Sequence, residues 1–103
     1  NWLAVAYLDL GEPGNALKEL QESLAITGDS AKSARALWIQ GVAYRELGEA
    51  QKAVVSTERS LELGLAHQDI VDAHFLLADV YTTLGDSVRA EKHLRIYEEL
   101  HGK

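Results

Sequence analysis

The sequence contains no cysteine and no methionine, one proline, one phenylalanine, and only ten Lys and Arg against sixteen Asp and Glu. Lacking cysteine, it can form no disulfide, thiol nucleophile or cysteine-ligated zinc site. The formal charge of −6 repels phosphate, and the bases are scattered rather than gathered into the basic patch that nucleic-acid binding needs. No run of about 18 apolar residues occurs, so no helix is expected to span a membrane. No signal-peptide pattern opens the chain, and a cytoplasmic location is expected. The chain begins at Asn1 without a methionine, as a fragment of a longer protein would. At 103 residues it has the length of one domain, and its abundant Ala and Leu favour helix.

Against these absences stands an internal repeat. VAYLDLGEPGNAL from Val5, VAYRELGEAQKAV from Val42 and DVYTTLGDSVRAE from Asp79 align without gaps, 37 residues apart each time. Tyr7, Tyr44 and Tyr81 share a column. So do Leu10, Leu47 and Leu84, then Gly11, Gly48 and Gly85, then Ala16, Ala53 and Ala90. A fixed period of this size is the signature of stacked supersecondary units.

Each unit reads as two helices. Ala73, Leu76, Leu77, Val80 and Leu84 follow helical spacing before the shared glycine, and Ala53, Val54, Thr57, Ser60, Leu61 and Leu63 follow it afterwards. Gly11, Gly28, Gly48, Gly64, Gly85 and Gly102 fall just past predicted helix ends, where a left-handed residue closes a helix. Pro13 suits a first helical turn, and Asp86 can cap a helix starting at Ser87. The pattern predicts helices at 1–10, 13–27, 31–47, 50–63, 67–84 and 87–101. Gly41 is predicted inside a helix, at the slot of Ala4 and Ala78. Facing the alanine column, it permits close helix approach.

Catalytic and metal chemistry find little support. His67, Asp69 and His74 lack a recognisable ligand spacing. His74 is expected on a helix–helix face, while His93 and His101 are expected near a helix C-terminus, where positive charge is mildly favourable. Glu98–Glu99 and Glu19/Glu22 read as solvated faces. No phosphate-cradling glycine loop and no nucleophile with a matched base is present. The chain reads as a non-enzyme without a cofactor.

The repeat resembles the tetratricopeptide family, written W-x2-L-G-x2-Y, then A-x3-F, then P. Leu37-x2-Gln40-Gly41-x2-Tyr44 and His74-x2-Leu77-Ala78-x2-Tyr81 fit the first part, and Leu3-Ala4-x2-Tyr7 fits it with the front missing. Ala16-x3-Leu20, Ala53-x3-Thr57 and Ala90-x3-Leu94 fit the second. The period of 37 departs from the family's period of about 34, and Gly28, Leu65 and Gly102 stand where the closing proline would be. The added length is expected in the second helix or in the link to the next repeat. Similar longer-period arrays occur in bacterial regulators.

The resemblance implies an all-α fold: an α-solenoid of three antiparallel helix-turn-helix repeats (about 1–30, 31–66 and 67–103), with six helices in one domain over 1–103. It also implies a right-handed superhelix whose first helices line a concave groove that receives a peptide or helix of a partner protein. Carried over by slot, the groove residues are Val5, Leu8, Asp9, Arg35, Trp38, Val42, Arg45, Glu46, Asp72, Phe75, Asp79, Thr82 and Thr83. The Lys/Asn clamp of members that bind chaperone tails is missing, because Trp38, Phe75, Val42 and Asp79 fill its slots. An alternative is a ligand- or peptide-sensing segment of a bacterial transcriptional or signalling regulator.

The two ends differ from the middle. Ser23–Leu24 and Ser60–Leu61 become Tyr97–Glu98, and Leu17 and Val54 become Glu91. Such acidic replacements suit a terminal repeat, whose outer face must be soluble, so the natural array is expected to end near Lys103. At the front, the first helix is expected to be about a turn short. Trp2 and Leu3 would then be only partly covered, and either an upstream helix or self-association with a second copy of the chain is expected to cover them.

Overall fold

Residues 2–26 and 30–102 are described by the computed structural model, and they form six helices and no strand. These are α1 (Trp2–Asp9), α2 (Pro13–Ile26), α3 (Ser30–Glu46), α4 (Ala50–Leu63), α5 (His67–Thr83) and α6 (Ser87–His101). The helix starts repeat as the sequence does: Pro13, Ala50 and Ser87 for the second helices, and Ser30 and His67 for two of the first. Within each complete hairpin of 17 and 14 or 15 residues, the longer helix is the first. Helix α1, with 8 residues, departs further from its counterparts than expected. It begins at the slot of Ile39, nine residues into α3, and so lacks about two and a half turns. The expected helix stop at Gly28 lies outside the described residues.

Three hairpin bends share one construction. The Gly48 N–H donates to the Arg45 carbonyl and the Glu49 N–H to the Tyr44 carbonyl, at 3.0 and 2.9 Å. Gly11–Glu12 and Gly85–Asp86 repeat the pair. This double closure satisfies the last carbonyls of a helix when one residue turns left-handed, and Gly11, Gly48 and Gly85 sit at φ between +76° and +80°. Nothing lies near a Cβ built on any of the three, so backbone conformation, not space, selects glycine there. Gly102 departs from expectation: its φ is −73°, and its N–H still donates to the Glu98 carbonyl at 3.0 Å. Helix α6 therefore runs right-handed to its last turn.

Side chains reinforce the second-helix starts. Asp86 caps α6, accepting the Arg89 N–H at 3.0 Å. The same offset recurs as Asn15 donating to Glu12 (2.8 Å) and as the Lys52–Glu49 ion pair (3.2 Å).

Hairpins close through their small residues. A Cβ on Gly41 would run into Thr57 Oγ1 and lie 3.4 Å from the Ala53 carbonyl oxygen, so α3 and α4 touch almost backbone to backbone. Between hairpins the junctions are apolar. Ala4, Ala16 and Leu20 of the first hairpin bury against Ala36, Ile39 and Ala43 of α3. Ala53 and Val54 of the second bury with Leu76, Leu77 and Val80 of α5. Each first helix thus sits in the cleft of the preceding hairpin. Leu20, Ile39 and Leu77 are fully buried, and each contributes about 1.5–3 kcal/mol by leaving water.

Candidate binding surface on the first helices

Two ion pairs link α3 to α5. Arg35 Nη1 lies 2.8 Å from Asp69 Oδ2, and Arg45 Nη1 lies 3.1 Å from Asp79 Oδ2, with Glu46 3.9 Å from the Arg45 guanidinium. All but Asp69 keep about half their side chain in water, so each pair contributes at most about 1 kcal/mol. Their value lies in presenting mixed charge along adjacent first helices. Asp69, which showed no ligand spacing in the sequence, pairs with Arg35. Among the described residues no group of three or more His, Asp or Glu is placed to hold a metal ion.

The predicted groove residues differ in what they touch. Val5, Leu8 and Trp38 pack against the first buried cluster, and Val42 packs against the second. Among the described residues, the Trp38 indole N–H is buried without an acceptor. Arg35, Arg45, Glu46 and Asp79 form the charged strip. Asp72 accepts a long hydrogen bond from Gln68, and Asp9 is exposed. The Thr82 and Thr83 hydroxyls are turned back onto their own helix, donating to the Ala78 and Asp79 carbonyls at 2.8 and 3.3 Å. Phe75 is 47% exposed and leans on Tyr97 of α6, ring centroids 5.0 Å apart.

Phe75, Asp79 and Thr82 also line one wall of an open cavity of about 460 Å³ between α5 and α6. The other wall is Ser87, Ala90, Glu91 and Leu94 of α6, with Ala78 and Gly85 completing the lining. Sequence reasoning placed binding residues on first helices alone and missed this α6 wall. The signal was present, since Glu91 stands where Leu17 and Val54 are apolar.

His74, His93 and His101 make ring contacts within the last hairpin. His74 Nδ1 is 2.9 Å from His93 Nδ1, and the His93 ring stacks on Tyr81 with centroids 5.7 Å apart. Burial, then the neighbouring His74 and Lys92, pushes the His93 imidazole down to about 4; burial and Lys92 lower His74 as well. Two neutral rings can share one hydrogen bond, one donating and one accepting. The expectation that His93 favours positive charge at a helix C-terminus is therefore corrected, because it is buried across from His74. His101, in the last turn of α6, stacks on Tyr97.

A stack of helical hairpins joined by small-residue columns, with a half-exposed strip on its first helices, defines an α-solenoid. Two family models, both described as tetratricopeptide repeat, match residues 3–64 and 71–95. The chain belongs to the tetratricopeptide repeat family. Such repeats generally mediate protein–protein interaction and are typically non-catalytic scaffolds. No curated protein matches the chain as a relative. Among the described residues no helix is long and apolar enough to cross a membrane.

Proposed function

We propose that the chain is a non-catalytic interaction module that receives a peptide or helix of a partner protein across α3 and α5, at the groove of first helices that the family resemblance implies. The observation that carries this reading is Phe75. A half-exposed aromatic at the edge of an open cavity, flanked by Asp79 and Thr82, is the kind of anchor that dominates interfaces. Arg45 and Asp79 are held at defined positions beside it and supply polar flanks. Trp38, at the equivalent slot of α3, offers a second aromatic face, and its buried N–H lacks an acceptor among the described residues.

Selection of binders from a helical-peptide library on the 103-residue chain tests the reading. Phe75→Ala should weaken selected binders by at least about tenfold, while Val55→Ala, exposed on α4, should leave them unchanged. Equal sensitivity to both substitutions would place binding elsewhere.

A second reading, a sensing segment of a bacterial regulator, draws on the cavity's volume of about 460 Å³, which falls within the range of about 300–1,000 Å³ that holds small molecules. A small ligand would raise the thermal midpoint of the chain but not that of a Phe75→Ala variant.

A further inference from the structure

The third hairpin holds a ring where the second holds a hydroxyl. Ser56 on α4 and His93 on α6 share one slot of the 37-residue repeat, and Tyr44 and Tyr81 share another. In the third hairpin the His93 imidazole stacks on the Tyr81 ring, their planes 7° apart and their centroids 5.7 Å apart. In the second, Ser56 carries no ring, and an open cavity of about 360 Å³ lies between α3 and α4. Gln40, Tyr44 and Ser56 line it together with Gln51, Lys52 and Val55. Slot for slot, the third hairpin replaces Gln40, Tyr44 and Ser56 by Leu77, Tyr81 and His93. The cavity thus corresponds to the place of an aromatic ring that the next repeat supplies from its own chain.

What surrounds that place suits a ring with a polar edge. Both tyrosines have a cation beside them: Lys52 Nζ is 5.7 Å from the Tyr44 centroid, and Arg89 Cζ is 5.9 Å from that of Tyr81. The tyrosine setting is shared, and the stacked ring is what differs. In the third hairpin His74 meets the ring's edge, with the two Nδ1 atoms 2.9 Å apart. The second hairpin has Leu37 at the His74 slot and brings polar groups from one turn further on. There Gln40 Nε2 donates to Ser56 Oγ at 2.9 Å, which leaves the Ser56 proton to donate and the Gln40 carbonyl to accept. A neutral imidazole offers one acceptor nitrogen and one N–H, the complement of that pair. A purely apolar occupant would take water from both groups and return no hydrogen bond. A polar chain without a ring would leave the face of Tyr44 uncovered.

We propose that this cavity binds an imidazole-type ring, stacked on Tyr44 and hydrogen-bonded at its edge to Ser56 and Gln40. Its volume falls within the range of about 300–1,000 Å³ that holds small ligands, so it has room for the group that bears the ring. That bearer is either the backbone around a histidine side chain or the rest of a free heteroaromatic compound. All the lining residues belong to the middle hairpin. Gln40 lies two residues from Trp38, about 200° around α3, so the site is on another side of the helix from the strip that leads to Phe75. It goes beyond the proposed groove and does not depend on it.

Imidazole, N-acetylhistidine methylamide and cyclopentanol, each titrated into the ¹⁵N-labelled chain, test the proposal. Shifts with imidazole should concentrate at Tyr44, Ser56 and the Gln40 side-chain amide and saturate with a Kd of about 1–10 mM. Cyclopentanol, a five-membered ring without an aromatic face, should bind about three- to tenfold more weakly. Tighter binding of the histidine amide than of imidazole assigns the ring to a protein partner, and the reverse order assigns it to a free compound. Ser56→His should supply the ring from within and abolish binding, with circular dichroism verifying the fold. Should that variant misfold, Gln40→Leu, which installs the residue of the Leu77 slot, should weaken imidazole by about three- to tenfold. Phe75→Ala should bind imidazole as the unaltered chain does, so failure of the groove and failure of this site are told apart. No saturable shift at Tyr44 and Ser56, equal affinity for cyclopentanol, or full affinity in a folded Ser56→His or Gln40→Leu variant would each overturn the proposal.

Discussion

Val54 on α4 and Glu91 on α6 occupy the same position in successive hairpins, yet Val54 is 6% exposed beneath α5 and Glu91 faces an open cavity. The contrast holds along the whole cleft. Gly41, Val42 and Ala53 of the second hairpin meet Leu76, whereas Ala78, Asp79 and Ala90 of the third line an open cavity. Backbone geometry is shared, since both hairpins close through the same glycine bend and the same alanine column. The side chains at a few cleft positions differ, and they mark whether a cleft is covered by the next helix or open.

The largest difference should appear on removing a knob. Leu76→Ala empties a filled cleft and should cost about 2–5 kcal/mol, while Leu94→Ala at the open cleft should cost less than about 1. Urea denaturation of both variants gives the comparison. Overpacking gives a smaller contrast: Ala53→Leu, at a fully buried site, should cost roughly 1–3 kcal/mol. Ala90→Leu has the cavity to grow into and should cost clearly less, and Lys52→Leu, at an exposed site, almost nothing.

Gly41 offers a finer probe of the closed hairpin. Alanine there gains about 1 kcal/mol of helix propensity but collides with Thr57 Oγ1, a stiff, buried side chain whose hydroxyl has no partner. Gly41→Ala alone should therefore be destabilising, by about 1–2 kcal/mol. In a Thr57→Ala background the same substitution should turn stabilising, and thermal melts of the four chains would show the coupling.

The third hairpin should respond to acid. The folded state lowers His93 to about 4 from an ordinary 6.5 and lowers His74 in the same direction, so folding favours the neutral rings. Their contribution is complete above about pH 6.5 and is lost as pH falls from there towards 4, for a total of roughly 1–3 kcal/mol. His93→Gln should flatten that part of the stability curve. An unchanged slope would mean that the two rings do not titrate as buried neighbours.

What the sequence disclosed follows from which forces are local. Helix ends were legible because Gly11, Gly48, Gly85, Pro13 and Asp86 act within a turn of their own position. The Gly41–Ala53 approach was legible because small residues recur in register. The His74–His93 pair was not, since it joins two helices across a hairpin and His93 looked like a residue near a helix end. Nor were Arg35–Asp69 and Arg45–Asp79 identified as pairs, although both lie 34 residues apart, three short of the repeat. Gly102 was misjudged because α6 ends without the double closure that forces a left-handed residue. The cavity wall on α6 stayed hidden because a slot inherited from a repeat does not say whether another helix will cover it.

That last distinction, same slot and opposite use, is tested most directly by exchanging the two residues that mark it. Val54→Glu would bury an unpaired carboxylate beneath α5, and Glu91→Val would place a valine at the rim of an open cleft. Equilibrium denaturation in dilute solution should show Val54→Glu losing at least about 3 kcal/mol and Glu91→Val staying within about 0.5 kcal/mol of the unaltered chain. Comparable losses from both, or a tolerated Val54→Glu, would contradict the account of one closed and one open cleft.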